Sequence, residues 1–222
     1  MMQSFFTRYY EALLDTDRDQ AIGLLSRALD DGTAPEEIVF DVVTPAIERM
    51  SRDLTKDLAT TLSQHFIAAQ ISEEAIEMLL PLFSTAPDIK GSIVIGTSAG
   101  DFHGLGKKIV RGCLRTKMFT VTDLGVNVPA ERFVDQALAL DASVIAISAM
   151  MVHTALGAEG ALKVRQILRE RGLESQIKII VGGAPFRFDE NLYRSVSADA
   201  WAENGIEATR VIAELVQEVQ PA

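Results

Sequence analysis

Apolar residues follow two different periods along the chain, with a single changeover. Through residues 1–84 they recur every three to four positions, the spacing of a helix face turned toward a core. Phe5, Phe6, Tyr9 and Leu13 share one such face, and Ala21, Leu24, Leu25, Ala28 and Leu29 share another. Asp17 stands where a second helix needs an N-terminal acceptor, and Gly32 where that helix must stop. Pro35 suits the first turn of a third helix over 36–52, apolar at Ile38, Val42 and Ile47, and a fourth is expected from about 58 to 82. Short connections between four helices predict an antiparallel bundle occupying 1–86.

The period changes after "STAPDIKG", residues 84–91, which reads as a linker. Short β-branched runs follow at 92–97, 120–124, 143–148 and 178–181, and a fifth is expected at 198–202. Helical patterns fill the gaps at 105–115, 130–140 and 156–171, and a last one covers 205–219. "VIAIS" and "IKIIV" are apolar almost without interruption, as strands buried on both faces are. The fold class is therefore α/β: an N-terminal four-helix bundle, then a flavodoxin-like, doubly wound, five-stranded parallel sheet over 91–222. With strand order 2-1-3-4-5, a ligand would sit at the carboxyl ends of strands one, three and four.

Composition narrows the function classes. The 222 residues are 48% hydrophobic and carry a net charge of −10, which disfavours nucleic acid and acidic membrane surfaces. No apolar run approaches the roughly 18 residues of a membrane span. The opening "MMQSFFTRYYEALLDTDRD" is broken by Arg8, Glu11 and Asp15 and does not read as a secretory leader. The one cysteine, Cys113, forms no internal disulfide and reads as an apolar helix residue. A cytoplasmic protein is expected.

Chemistry concentrates in "GTSAGDFHGLGKK", residues 96–108, the turn after the first strand. It is not a phosphate loop, because five residues separate Gly100 from Gly106 and Lys107 precedes another lysine. It is not a dinucleotide fingerprint, because Ile109 stands where the last glycine belongs. An ordinary loop histidine is the plain alternative for His103. Against it, Asp101 can bond one ring nitrogen and raise the basicity of the other, which is how a metal-binding imidazole is supported. No H-x-x-x-H or C-x-x-C supplies further ligands. A lone protein ligand suits a metal whose other positions are filled by a macrocycle.

The ordered motifs Asp101-x-His103-x-x-Gly106, Ser148-Ala-Met150 and Gly182-Gly183 resemble the cobalamin-binding domain of methionine synthase and of corrinoid proteins in methyltransferase systems. "VTDLGVNVPAERFV" and "IIVGGAP" are similar to the same family, and the helical half is similar to its helical cap. The resemblance implies cobalamin as cofactor, bound with its own base displaced and His103 on cobalt, with Asp101 hydrogen-bonded behind. It implies contacts from Phe102, Gly104, Leu105 and Gly106 around the corrin. Ser148, Met150, Val152, Gly182, Gly183 and Ala184 would line the nucleotide tail, with Ser148 on the base and the two glycines leaving the slot open. Val152 departs from the threonine common there, a loss for which Thr154 is the candidate replacement. The helical half lacks the usual glycine–glutamate pattern between its third and fourth helices.

Other residues have plainer readings. His65 reads as an ordinary bundle residue, with a role as upper cobalt ligand as the alternative. His153 reads as loop surface, the Phe5–Phe6–Tyr9–Tyr10 cluster as core, and Arg165, Arg169 and Arg171 as a solvated helix face. The resemblance implies a methyl carrier serving separate methyltransferase proteins, a non-catalytic corrinoid subunit with no acid–base set of its own. A cobalamin-responsive sensor is the alternative, and self-association as a homodimer stays open.

Overall fold

The computed structural model describes residues 2–53, 60–84 and 89–219. The expected start of the fourth helix and most of the expected linker, 54–59 and 85–88, lie outside the described residues. By its contacts the chain divides into two units, residues 1–88 with 115–118, and residues 89–114 with 119–222.

In the first unit, α1 is Met2–Leu14 and α2 is Arg18–Asp30. The Asp17 carboxylate accepts from the Gln20 N–H at 2.9 Å, and Gly32 adopts φ +85° just past the end of α2. The third helix is composite: α3 (Pro35–Ile38), a π-helical turn (Val39–Val43) and α4 (Thr44–Arg52). Pro45 explains the wide turn. It has no N–H, and its ring would crowd the carbonyl four residues back. The Thr44 N–H reaches five residues back to the Val39 carbonyl, which opens the helix there. The fourth helix, α5 (Leu62–Leu79), starts at a reciprocal cap between Thr61 and Gln64. Tyr9, Leu13, Leu25, Val42, Ile47 and Ile76 form the core, and Phe6 stacks on Tyr10 at 6.0 Å.

The second unit holds β1 (Gly91–Thr97), β2 (Phe119–Asp123), β3 (Val144–Ser148), β4 (Lys178–Gly182) and β5 (Ala200–Ala202), all parallel in the order β2-β1-β3-β4-β5. This is the expected doubly wound sheet. Between Val144 and Ile147 in β3 and between Ile179 and Val181 in β4 the strands are apolar without interruption because both faces are covered. Ile145, Ile147, Ile179 and Val181 meet Phe133 and Val134 of α7 (Ala130–Ala139) and Val164 and Leu168 of α9 (Ala161–Glu170). Val144, Ala146 and Ile180 meet Leu114 of α6 (Leu105–Arg115) and Ile212 and Leu215 of α12 (Gly205–Val219).

Two expectations fail locally. The helix expected over 156–171 is a short α8 (Val152–Ala155), a loop, and then α9. Gly157 and Gly160 break it, since a Cβ on either would lie 3.1 Å from a backbone carbonyl. Arg165 is not solvated. It is buried, donating to the Ser197 carbonyl at 2.9 Å and pairing with Asp199, whose Oδ2 also accepts the Ile179 N–H at 2.6 Å. Short helices α10 (Ala184–Phe188) and α11 (Leu192–Ser195) follow β4. Among the described residues no helix is long and apolar enough to cross a membrane.

His65 is 1% exposed, and burial lowers its pKa to about 4. The unfolded chain therefore binds a proton more readily than the native protein does, so this residue's penalty grows as pH falls from about 6.5 toward 4, reaching about 3 kcal/mol. His65→Leu is expected to remove that part of the pH dependence. Urea unfolding of both proteins between pH 7 and pH 4 checks it; parallel curves would refute it.

Candidate functional site

The carboxyl ends of three adjacent strands are in register. Thr97 of β1 lies opposite Ser148 of β3, which lies opposite Gly182 of β4. The sheet thus brings the three sequence motifs to one rim, at the point where connections leave in opposite directions. Backbone bonds carry the register beyond the strands: Ser98 N–H to the Ser148 carbonyl at 3.0 Å, and Ala149 N–H to the Gly182 carbonyl at 3.0 Å.

Asp101 is the centre of this rim. It is 1% exposed, yet its two oxygens are fully engaged. Oδ1 accepts the His103 backbone N–H and faces the His103 Nδ1, each at 2.9 Å. Oδ2 accepts the Met150 backbone N–H at 2.6 Å and the Thr154 hydroxyl at 2.9 Å. Burial pushes the Asp101 carboxyl up. The donors from Met150, His103 and Thr154 outweigh it and hold the group below the usual carboxylate range. An ionised carboxylate only accepts, so the Nδ1 of His103 carries the ring proton. That leaves the Nε2 lone pair on a side chain that is 57% exposed.

Residues not singled out from sequence complete the support. Thr97, fully buried, donates its hydroxyl to the Asp101 carbonyl at 2.5 Å and accepts the Asn127 N–H at 2.9 Å. Asn127, at φ +54°, donates its N–H to the same Asp101 carbonyl at 2.9 Å and accepts the Gly100 N–H on its side chain at 2.7 Å. An asparagine two residues before Pro129, in a turn that wants positive φ, was the available signal. Thr154, the candidate replacement for the polar group lost at Val152, donates its hydroxyl to Asp101 in this structure.

Around the exposed imidazole the surface is apolar. Phe102 is 68% exposed, Met150 48% and Val152 58%, with Met151 and Leu156 also exposed. Leu105 and Gly106 open α6 beside it, and Gly104 joins them to His103. Ser148 is half-buried at the end of β3, and Ala184 starts α10 beyond Gly183. Among the described residues there is no cluster of three His, Cys, Asp or Glu able to hold a bare metal ion. These features fit cobalamin: one imidazole nitrogen with a fixed tautomer, and an apolar lip for a broad hydrophobic ring. They also leave room, since a Cβ on Gly106 would have no atom within 4 Å, so nothing in the protein demands glycine there.

Gly183 is different, and the reason expected for it from sequence does not hold. A Cβ there would lie 2.0 Å from the Ala149 carbonyl oxygen, and φ is +111°. The β3 loop itself requires this glycine. Gly182 is intermediate, its would-be Cβ 3.3 Å from the Ala202 carbonyl.

The two glycines therefore separate fold from ligand. Gly106→Ala is expected to stabilise the protein without cofactor by about 0.5–1 kcal/mol, as alanine does in a helix. It is expected to weaken cobalamin binding at least about tenfold by filling that space. Gly183→Ala is expected to cost about 2 kcal/mol or more without cofactor. Thermal melts and cobalamin titration test both. Undiminished affinity in Gly106→Ala would show that the open space is not where the ligand lies.

Comparison with known proteins agrees with the geometry. Residues 91–210 match the family model described as B12 binding domain, and residues 6–80 match a second model of the same description. Trimethylamine corrinoid protein 1 of Methanosarcina mazei is 31% identical over 209 residues, covering 92% of this chain and 92% of that protein. Dimethylamine corrinoid protein 2 of the same organism is 40% identical over 126 residues, 57% of this chain and 56% of that one. In fold, the chain is similar to a chain of the methanol:cobalamin methyltransferase complex of Methanosarcina barkeri, with a TM-score of 0.76 at 22% identity, covering 96% of this chain and 80% of that one. The half-exposed imidazole on its buried aspartate, the three-strand rim and these matches place the chain in the B12-binding-domain family of corrinoid proteins.

Proposed function

We propose that the protein is a corrinoid methyl carrier: it binds cobalamin with His103 on cobalt and presents it in turn to methyltransferase proteins. The observation that carries this reading is the His103–Asp101 pair, in which a buried, ionised carboxylate fixes the ring proton on Nδ1 and frees Nε2. The match to a trimethylamine corrinoid protein over 92% of the chain supports the carrier role.

When bound, cobalamin supplies a cobalt centre able to accept and release a methyl group. The chain's residues do the rest. Asp101 holds the Nδ1 proton in place and makes the opposite nitrogen more basic, so that Nε2 is the atom offered to cobalt. Thr154 and Met150 keep Asp101 ionised. Phe102, Met150 and Val152 give an apolar border that limits water. Ser148, Gly182, Gly183 and Ala184, lying one to two strands away from His103 along the rim, are the tail side of the site. The proposed partners are enzymes that load and unload the methyl group, and a cytoplasmic location suits that traffic.

Histidine ligation is checked by loading the protein with cob(II)alamin and recording its EPR spectrum with 15N-histidine. A changed superhyperfine pattern is expected in the wild-type protein and none in His103→Ala; an unchanged wild-type pattern would refute it. The carrier role makes a separate demand. The methyl-loaded protein alone is expected to transfer its methyl to thiols only very slowly. Rapid turnover without a partner would overturn that role, and a light-dependent change of assembly abolished by His65→Ala would favour a sensor.

A further inference from the structure

Lys107 breaks two local rules. It is only 2% exposed, although lysine is rarely buried without a partner. It also lies in the first turn of α6, where the helix dipole disfavours a cation. Its partner is Asp123 at the end of β2, with Nζ 2.5 Å from both carboxylate oxygens. Asp123 is anchored in turn by the Gly125 N–H at 2.8 Å, and Arg111 stands 3.6 Å away. The lysine stem runs under the backbone just past His103: a Cβ on Gly104 would meet Lys107 Cε at 3.9 Å and Val126 Cγ1 at 3.2 Å.

The pair therefore joins the first turn of α6, which follows the His103 loop, to the last residue of β2, which precedes the loop bearing Asn127. The two loops themselves are joined by Asn127, through the Asp101 carbonyl and the Gly100 N–H. Asp101 sets how the imidazole is turned. Asp101 and Asn127 also hold the backbone on the N-terminal side of the histidine. On its other side, at Gly104, the backbone rests on Val126 and the lysine stem, and an apolar contact alone there would allow it to slide. A buried ion pair, with one ammonium between both oxygens of a carboxylate that is itself hydrogen-bonded, holds its two elements at a short separation. We propose that Lys107 is a positioning residue for His103, its buried pair with Asp123 holding the histidine loop at the height the cofactor needs. This inference rests on the reading of His103 as the cobalt ligand.

The test uses the full chain in three forms: wild type, Lys107→Met, and Lys107→Met with Asp123→Asn, which leaves no stranded charge and keeps an acceptor for Gly125. Each is loaded with cob(II)alamin for 15N-histidine EPR, melted without cofactor, and examined without cofactor by long-range 1H–15N NMR of the His103 ring. Lys107→Met is expected to lose cobalamin affinity about tenfold, the low end for a residue supporting a metal ligand. Its histidine-ligated fraction is expected to fall, and the single Nδ1–H tautomer of His103 to become a mixture. The double variant is expected to recover the melting temperature but neither the ligation nor the tautomer. Recovery of all three would make the pair merely structural and overturn the proposal, as would wild-type ligation and tautomer in Lys107→Met. If wild type itself shows no histidine ligation, the ligand reading fails, and the tautomer in the cofactor-free variants still decides the role of Lys107.

Discussion

A carboxylate taken out of water must be met by donors, and the way Asp101 is met organises the rim of this sheet. Its donors come from three places: its own loop, the backbone after β3, and the hydroxyl of Thr154 in α8. Remove any of them and a buried charge is left short of a partner. The group thus links the end of β1 to the loop after β3, while its backbone carbonyl, taken by Thr97 and Asn127, links it to the loop after β2. The imidazole stands on this frame without having to be buried itself. That is why a half-exposed side chain can hold one tautomer.

Glycines in the same region divide by what they face. Gly183 meets the protein's own backbone, and Gly106 meets open space. From the sequence the two look alike, each a small residue at a loop beside a suspected site. The distinction matters for function, because only a glycine that the protein does not itself need points to a ligand. The apolar residues around Gly106 and His103 point the same way. Phe102, Met150 and Val152, from the two segments that meet at Asp101, each expose hydrophobic surface.

The helical unit shows a comparable tension between local and global demands. Pro45 belongs to no ordinary helix interior, yet the chain keeps its direction by widening one turn. His65 is held in the core of α5 as a neutral ring, where a leucine would pack without the cost of excluding a proton.

Much of this was legible in the residue pattern. Strand and helix periods differ by chemistry that acts over a few positions, so the changeover near residue 90, the five strands and the limits of α6 and α12 could be read directly. Asp101 and His103 were legible too, because they lie two residues apart and their bond is local. Where glycines interrupted a helical pattern, as at Gly157 and Gly160, the periodicity ran on past the true break. What only the tertiary structure decided involves partners distant in sequence. Thr154 reaching Asp101 across 53 positions, Arg165 reaching Asp199 across 34 and Lys107 reaching Asp123 across 16 all depend on which strand ends are neighbours. Local spacing reports which face a side chain takes; it does not report which charge stands opposite, and a buried charge is settled by that partner alone.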